Sequence, residues 1–263
     1  MMSTKVENIN QKIQFLTKSG IRLHILNILS KNPQNIKELV NTTQITYSTL
    51  SSNLHKLQQE KYIQKIKNKY YLTQTTKMYL NIILEFKNAI KLINQFDEFW
   101  DKHDVKQINL DSLKNITSLY DSQLIKTTPI DIYKTHNTIK GQLLMSYNIK
   151  AIFPYLHPDY PVIVEQVLQK GGNVELIIND EIFESLMDNI ETEIKKKSIG
   201  NGCLKVHELK ENLNLYLIIS DKNTNLGLFK SDGSFDQNRL LTSENQQAIK
   251  WANNLFENVK ANW

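Results

Sequence analysis

Short hydrogen-bonding side chains followed by longer basic ones occur together around residue 50 of the sequence. Hydroxyl and amide groups pair with base edges, and basic side chains pair with phosphate oxygens, so this combination is typical of a segment that reads duplex DNA. A second basic group follows, in which lysines alternate with apolar residues around a short turn. The residues that we expect to contact DNA are Tyr47, Ser48, Thr49, Ser51, Ser52, Asn53, His55, Lys56, Lys65, Lys67, Lys69 and Tyr70.

The spacing of apolar residues predicts the elements that position these side chains. Helical spacing occurs over Ser19–Leu29, then over Ile36–Val40, and then in a longer helix from Tyr47 to about Lys61 that has one leucine stripe. Alternation in Tyr62–Ile66 and Tyr70–Leu72 predicts a hairpin, with the three residues between them as its turn. This order predicts a winged helix-turn-helix. The alternative is that the Ser and Thr side chains merely cap and solvate a surface helix.

Charge is distributed unevenly along the 263 residues. Residues 1–90 contain 13 Lys and Arg against 4 Asp and Glu, a net charge of +9, whereas the whole chain carries +5. A basic N-terminal third favours a polyanionic partner such as double-stranded DNA. Apolar runs such as Leu213–Ser220 are far shorter than the roughly 20 residues of a membrane helix, and no apolar signal core is present. The single cysteine, Cys203, excludes an intrachain disulfide, so we expect a soluble cytoplasmic protein.

The stretch Met78–Trp100 contains neither Gly nor Pro and predicts a long helix with apolar residues on two faces. Such a helix forms a dimer seam or packs within its own chain, and the sequence leaves both roles open. Because readers of this type commonly pair on two-fold sites, we expect a homodimer.

Strand and helix patterns alternate beyond this helix. The predicted strands are Leu124–Thr127, Ile149–Tyr155, Val174–Asn179, Leu204–Glu208, Leu213–Ser220 and Asn225–Lys230. The predicted helices are Asp131–Tyr147, Pro158–Lys170, Asp180–Lys197 and Ser243–Val259. This alternation predicts a mainly parallel or mixed sheet with a late antiparallel meander over Leu204–Lys230. The expected fold class is α/β (α+β overall), with a winged-helix domain at 1–76, a linker or dimerisation helix at 77–104, and a mixed-sheet α/β regulatory domain at 105–263.

Several motifs give the chain a family resemblance. The wing exit Leu72–Lys77 is similar to that of many winged helices, except that Thr76 stands where glycine is usual, so either the bend is tighter or the next helix begins earlier. The other motifs are Phe99–Asp104, Thr128–Tyr133, Phe153–Pro161, Leu226–Phe229 and Asp232–Asp236. Together they resemble the archaeal winged-helix regulators that carry the domain named after a methanogen filament-formation regulator. The resemblance implies a regulatory domain attached to a winged helix, and it supplies no ligand.

Known catalytic and metal-binding spacings are missing from the sequence. The six histidines lack a His-Glu-x-x-His pair, and there is no phosphate loop, dinucleotide fingerprint or Gly-x-Ser-x-Gly elbow. The alternating topology resembles a phospholipase-D-like sheet, but the His-x-Lys pair of that sheet is missing. We therefore expect no catalysis, no metal and no cofactor.

The segment His157–Pro161 follows a strand and opens a helix, at the end of the sheet where α/β folds bind ligands. It is either a rigid turn or part of a sensor pocket, formed with Thr128, His157, Asp159 and Tyr160, for a small-molecule or protein effector. The sequence thus predicts a dimeric DNA-binding transcriptional regulator with an effector-sensing or assembly domain. The alternatives are a winged-helix protein-interaction module and an enzyme with an appended winged helix. The operator, the effector and the direction of regulation are not encoded in any recognisable motif.

Overall fold

The computed structural model describes residues 2–209 and 213–262, with side chains from residue 9 onward within those ranges. The chain divides into two compact units, with the boundary between Asn88 and Ala89. This boundary lies inside one helix, Gln74–Gln95, so the segment 77–104 does not form a unit of its own. In the part of the chain so described, none of the helices has the length and apolar character needed to cross a membrane.

The first unit consists of helices followed by a hairpin. Its elements are α1 (Met2–Thr17), α2 (Gly20–Lys31), α3 (Ile36–Thr43), α4 (Tyr47–Gln59), β1 (Ile63–Ile66), β2 (Lys69–Leu72) and the start of α5 (Gln74–Gln95). The predicted order of helix, short helix, turn, longer helix and hairpin is confirmed. The helix α1 was not predicted, because its apolar residues do not form a continuous buried stripe: Ile9 and Ile13 are both more than half exposed.

Local hydrogen bonds fix the bounds of α3 and the turn that follows it. The Asn35 side chain accepts from the backbone N–H of Glu38, and the Glu38 carboxylate accepts from the backbone N–H of Asn35 at 2.8 Å, forming a capping box. The helix ends at Thr43, and the C-cap residue Gln44 has a left-handed φ of 58° that redirects the chain. The backbone conformation of Gln44 therefore starts the turn into α4.

The leucine stripe of α4 determines which side of the helix faces outward. Leu50, Leu54 and Leu57 are each at most 1% exposed and pack with leucines of α2 and α3. Burying three leucines is worth on the order of 5–8 kcal/mol of transfer free energy before chain entropy is counted. The opposite face of α4 is thereby held toward solvent.

The hairpin has a tight two-residue turn. Lys67 and Asn68 have φ values of 46° and 71°, the pattern of a type I′ turn, whose twist matches that of paired antiparallel strands. The turn is one residue shorter than predicted, because Lys69 already pairs within β2. The backbone N–H of Tyr70 also donates to the carbonyl of Gln34 at 2.8 Å, which ties the hairpin to the segment before α3.

The helix after the hairpin begins at Gln74, two residues before Thr76. Of the two predictions made for the missing glycine, a tighter bend or an earlier helix start, the earlier start is therefore confirmed. Thr76 is 1% exposed, and its hydroxyl lies 2.8 Å from the hydroxyl of Thr73, which also accepts the Thr76 backbone N–H. The helix ends at Gln95 rather than at Trp100. A short separate helix then follows at Asp97–Asp101.

The second unit is a mixed α/β sheet covered by helices. Its strands are β3 (His103–Asp104), β4 (Gln123–Lys126), β5 (Asn148–Ile152), β6 (Asn173–Asn179), β7 (Leu204–Leu209), β8 (Leu215–Ser220), β9 (Thr224–Lys230) and β10 (Arg239–Ser243). Its helices are the end of α5, α6 (Asp97–Asp101), α7 (Leu110–Lys114), a 3-10 turn (Ile116–Leu119), α8 (Lys134–Leu144), α9 (Asp159–Gln169), α10 (Asp180–Asp188), α11 (Thr192–Gly200) and α12 (Gln246–Ala261).

The strand order is β4-β10-β9-β8-β5-β6-β7, with β3 paired to β9. The strands β5, β6 and β7 are parallel to one another, and the remaining neighbours pair antiparallel. The predicted mixed sheet is confirmed, but the predicted meander is wrong in one respect: β7 pairs parallel with β6, and the antiparallel meander consists of β8, β9 and β10. The link at 210–212, inside that predicted meander, lies outside the described residues. The strand β10 was missed, and the predicted helix Asp180–Lys197 is two helices.

Both faces of the sheet are buried, as β8 shows most clearly. Its odd-numbered residues Leu215, Leu217 and Ile219 join one core with α12, whereas Tyr216 and Ile218 join a second core with α8 and α9. This alternation follows from the two-residue period of a strand. A sheet with helices on both faces leaves its strand ends and loops to form a binding site.

Candidate functional site

The outer face of α4 carries the predicted DNA-contact residues. Tyr47 is 61% exposed. The other exposed members are Ser48, Ser51, Ser52, His55 and Lys56, and the half-buried members are Thr49 and Asn53. The face therefore offers hydroxyl, imidazole and ammonium groups to solvent over three turns of helix.

Among the residues that the structure describes, no side chain caps the backbone N–H groups in the first turn of α4. The N-cap residue Thr46 makes no side-chain hydrogen bond to the helix backbone, and its hydroxyl donates instead to the hydroxyl of Thr49 at 2.9 Å. Uncapped N–H groups at a helix N-terminus favour a phosphate oxygen. The Asn53 amide donates to the Thr49 carbonyl at 2.8 Å, which fixes its orientation on the same face.

The hairpin presents lysines at its tip and along its strands. Lys65, Lys67 and Lys69 are exposed, and the ammonium of Lys65 lies 5.5 Å from the centre of the Tyr70 ring. Tyr70 itself is only 9% exposed and packs in the core of the first unit. The expectation that Tyr70 contacts DNA is therefore corrected: the ring supports a lysine-bearing strand from within.

The second unit contains a cavity of about 280 Å³ at one edge of its sheet, where β5 ends and β8 and β10 begin. Aromatic rings line one side: the Tyr155 ring is stacked on that of Tyr216 at 5.8 Å and tilted against that of Phe235 at 5.1 Å between ring centres. His136 and His157 line another side, with their rings stacked at 3.6 Å. Such a mixture of aromatic and polar lining is typical of a small-molecule site.

The residues expected to form a sensor pocket divide into three groups. His157 lines the cavity, and Asp159 is hydrogen-bonded to the cavity residue His136. Tyr160 is 1% exposed, and its hydroxyl lies 2.6 Å from that of Tyr216, so it belongs to the core beneath the cavity. Thr128 does not line the cavity: its hydroxyl accepts the backbone N–H of Asp131 in an exposed turn. Of the four residues expected to form the pocket, His157 alone lines the cavity.

The carboxylate of Asp159 is held ionised by two neighbours. Hydrogen bonds from the Lys140 ammonium at 2.8 Å and from His136 Nε2 at 3.0 Å lower the pKa of Asp159 to about 2. Burial lowers the pKa of His157, and the nearby His136 lowers it further. The Asp159 backbone N–H donates to His157 Nδ1 at 3.1 Å, which fixes that ring nitrogen as an acceptor.

A buried ionic cluster forms the polar wall of the cavity. Asp236 is 1% exposed and accepts from Arg239 at 2.8 Å and from His103 Nε2 at 3.1 Å. Burial raises the pKa of Asp236, but hydrogen bonds from Arg239, the backbone and His103 outweigh it and lower the pKa overall. Arg239 also donates to Glu98 at 3.0 Å, so the cluster joins α6 to the start of β10.

Several residues of the site were not predicted from the sequence. His136, Tyr155, Tyr216, Phe235 and Arg239 line the cavity, and Lys140 binds Asp159 beside it. One signal was present for two of them: His136 and Lys140 are four residues apart within a predicted helix and therefore share a face. The aromatic residues gave no signal, because they come from three distant segments.

Two family models match the chain, one for each half. Residues 132–262 match the model described as "Methanogenesis regulatory protein FilR1, middle domain". Residues 10–95 match the model described as "HVO_A0261 N-terminal domain". The C-terminal half of the chain is therefore similar to the FilR1 middle domain. The chain is 22% identical over 250 residues to methanogenesis regulatory protein FilR1 of Methanothrix harundinacea (strain 6Ac), covering 94% of this chain. It covers 56% of that relative, so the chain spans about half the length of the curated relative it matches.

Two solved structures resemble this chain weakly. TrmBL2, described as an archaeal chromatin protein with a novel mode of DNA binding, has a TM-score of 0.42 at 11% identity, over 90% of each chain. Polyphosphate kinase from Porphyromonas gingivalis has a TM-score of 0.38 at 10% identity, over 54% of this chain and 26% of that one. At such scores neither likeness carries an argument about fold or function.

Proposed function

We propose that this chain is a DNA-binding transcriptional regulator that docks α4 on duplex DNA and places the β1–β2 hairpin against the adjacent backbone. One observation carries the proposal: the leucine stripe of α4 is buried while its hydroxyl, imidazole and ammonium groups are exposed. Beside it, the hairpin lysines supply cations for phosphates. The regulatory description of the FilR1 relative supports the same role.

Equilibrium binding of the full chain to a labelled duplex of mixed sequence tests this proposal. Ser51→Glu adds a carboxylate on the exposed face of α4, where it would repel phosphates, and should abolish duplex binding at low salt. Ser185→Glu adds the same charge on an exposed position of α10 and should leave binding unchanged. Equal affinities for both variants, or no duplex binding by the parent chain, would instead favour a protein-interaction role for the winged helix.

The proposed regulator acts as a dimer of two copies of this chain. An apolar groove of about 250 Å³ in the first unit is lined by α1 and α5, including Ile9, Ile13 and Ile82, which are 57%, 53% and 65% exposed. Met78, which lies on α5 together with Ile82, is 67% exposed. Large apolar side chains concentrated on one surface favour a protein partner, and a second copy fits the two-fold symmetry expected of a DNA reader.

The cavity of the second unit is the proposed effector site. Its lining combines aromatic rings with polar groups, and an effector regulates DNA binding only if it binds one arrangement of the protein better than another. Tyr133 lines the cavity and is 63% exposed, so Tyr133→Ala should weaken an effector without disturbing the core. Thermal-shift screening of native cell metabolites, with Tyr120→Ala as an exposed control, tests the site. An effector that stabilises Tyr133→Ala as much as the parent chain would exclude this cavity.

A further inference from the structure

Three groups able to ligate a metal meet at the mouth of the cavity. His136 comes from α8, His157 from the loop after β5, and Asp159 is the first residue of α9. One ligand atom from each residue lies within 4.8 Å of the ligand atoms of the other two. In a tetrahedral site with bonds of about 2.1 Å, ligand atoms lie roughly 3.4 Å apart, so adjustments of about 1 Å bring them to coordinating distance.

We propose that His136, His157 and Asp159 form a binding site for a divalent transition-metal ion of the zinc or cobalt type. Two imidazoles with one carboxylate suit such ions, whereas Mg²⁺ and Ca²⁺ require mostly oxygen ligands. Three protein ligands leave a fourth position for water or an exchangeable ligand. Since His136 and His157 line the cavity, that position opens toward the proposed effector site.

The metal-free arrangement shows what binding must displace. The ammonium of Lys140 occupies Asp159 Oδ2 at 2.8 Å, the same oxygen that His136 approaches at 3.0 Å. Lys140 has a side chain that is 42% exposed, so it can leave toward solvent. The stacked rings must also tilt apart, and coordination by His157 Nδ1 exchanges its hydrogen bond from the Asp159 backbone for a metal bond.

The Lys140 ammonium and a metal ion would compete for Asp159, and this competition distinguishes a metal site from a structural salt bridge. Removing a ligand weakens metal binding, whereas removing Lys140 frees a carboxylate oxygen and strengthens it. Lys140→Met keeps much of the side-chain length without the charge. A purely structural role for the cluster predicts no gain in metal affinity for Lys140→Met.

The test uses the full chain, free of any histidine tag and stripped of metal with a chelator. Calorimetric titration with Zn²⁺, and absorption spectra with Co²⁺, should show one ion per chain, with Mg²⁺ inactive. In metal sites generally, changing a residue that hydrogen-bonds to a ligand lowers metal affinity 10–100-fold. Removing a ligand itself has a larger effect, so His136→Ala and Asp159→Ala should each lower the affinity at least about 100-fold. Lys140→Met should bind severalfold more tightly than the parent chain. His207→Ala is the matched control, because His207 also pairs with a carboxylate, that of Glu175 at 2.9 Å, and should bind as the parent does.

Each contrary result overturns the site, whether or not the chain binds DNA. Retained stoichiometry in His136→Ala, with a folded chain confirmed by circular dichroism, would locate the ion elsewhere. A loss in His207→Ala equal to that in His136→Ala would show unspecific histidine binding. Unchanged affinity in both Asp159→Ala and Lys140→Met would remove Asp159 from the ligand set.

Discussion

The hairpin lysines give a prediction whose size follows from their exposure. Lys65, Lys67 and Lys69 are exposed and form no ion pair among the residues that the structure describes, so each is free to meet one phosphate. Each phosphate neutralised contributes about 0.9 to the slope of log affinity against log salt. Replacing all three lysines with alanine should therefore reduce the slope by about 2.7 per bound chain. A roughly fourfold rise in salt should therefore weaken DNA binding by the parent about 40-fold more than it weakens DNA binding by the variant.

Fluorescence anisotropy with a mixed-sequence duplex, measured at several salt concentrations, provides the slope. The charge-matched control replaces Lys196, Lys205 and Lys222, which are exposed in the second unit, and should leave the slope unchanged. If the hairpin variant keeps both the affinity and the salt slope of the parent, the hairpin does not touch DNA. If the control variant changes as much, the effect reflects net charge rather than the proposed interface.

Three further changes test the core, the buried cluster and the dimer. Leu54→Ala should destabilise the first unit by about 2–5 kcal/mol, because it leaves a cavity under α4, and hydrogen exchange of α4 should rise accordingly; exposed Ser52→Ala should stay within about 0.5 kcal/mol. Asp236 has a lowered folded-state pKa, so its contribution to stability is complete above the unfolded value of about 3.9 and is lost as pH falls through the folded-state pKa. Asp236→Asn should therefore flatten the acid limb of the unfolding free energy, and an unchanged limb would contradict this. Ile82→Glu should reduce the mass in light scattering from twice 30.7 kDa to 30.7 kDa. A monomeric parent, or the same loss in exposed Lys87→Glu, would exclude this surface.

The first unit was predictable because its signals are local. Leucines spaced four and three residues apart define α4, and the alternation on either side of Lys67 defines the hairpin. What was missed there depended on packing: the burial of Tyr70 follows from pairing with Gln34, which is remote in sequence. A strand pattern tells which residues alternate, but not which face becomes core.

For the second unit, the sequence predicted the fold class, a mixed sheet with helices, but not several of its elements or its cavity. The strand β10 escaped prediction because its short apolar run follows a turn and is recognisable only beside β9 and β4. The predicted helix over 180–197 is interrupted between Asp188 and Thr192, and a second helix begins there. The cavity depends on contacts between distant segments, such as the stacking of His136 on His157, and no spacing rule for a single segment encodes them.

Mapping of binding sites across the native genome tests whether the chain reads DNA sequence through α4. We expect discrete sites that share a sequence motif with two-fold symmetry. Ser51→Ala or Asn53→Ala should blur that motif while general affinity for DNA persists, because the proposed docking of α4 places these two positions against base edges. Occupancy spread evenly along the genome, or an unaltered motif in both variants, would contradict sequence reading by α4.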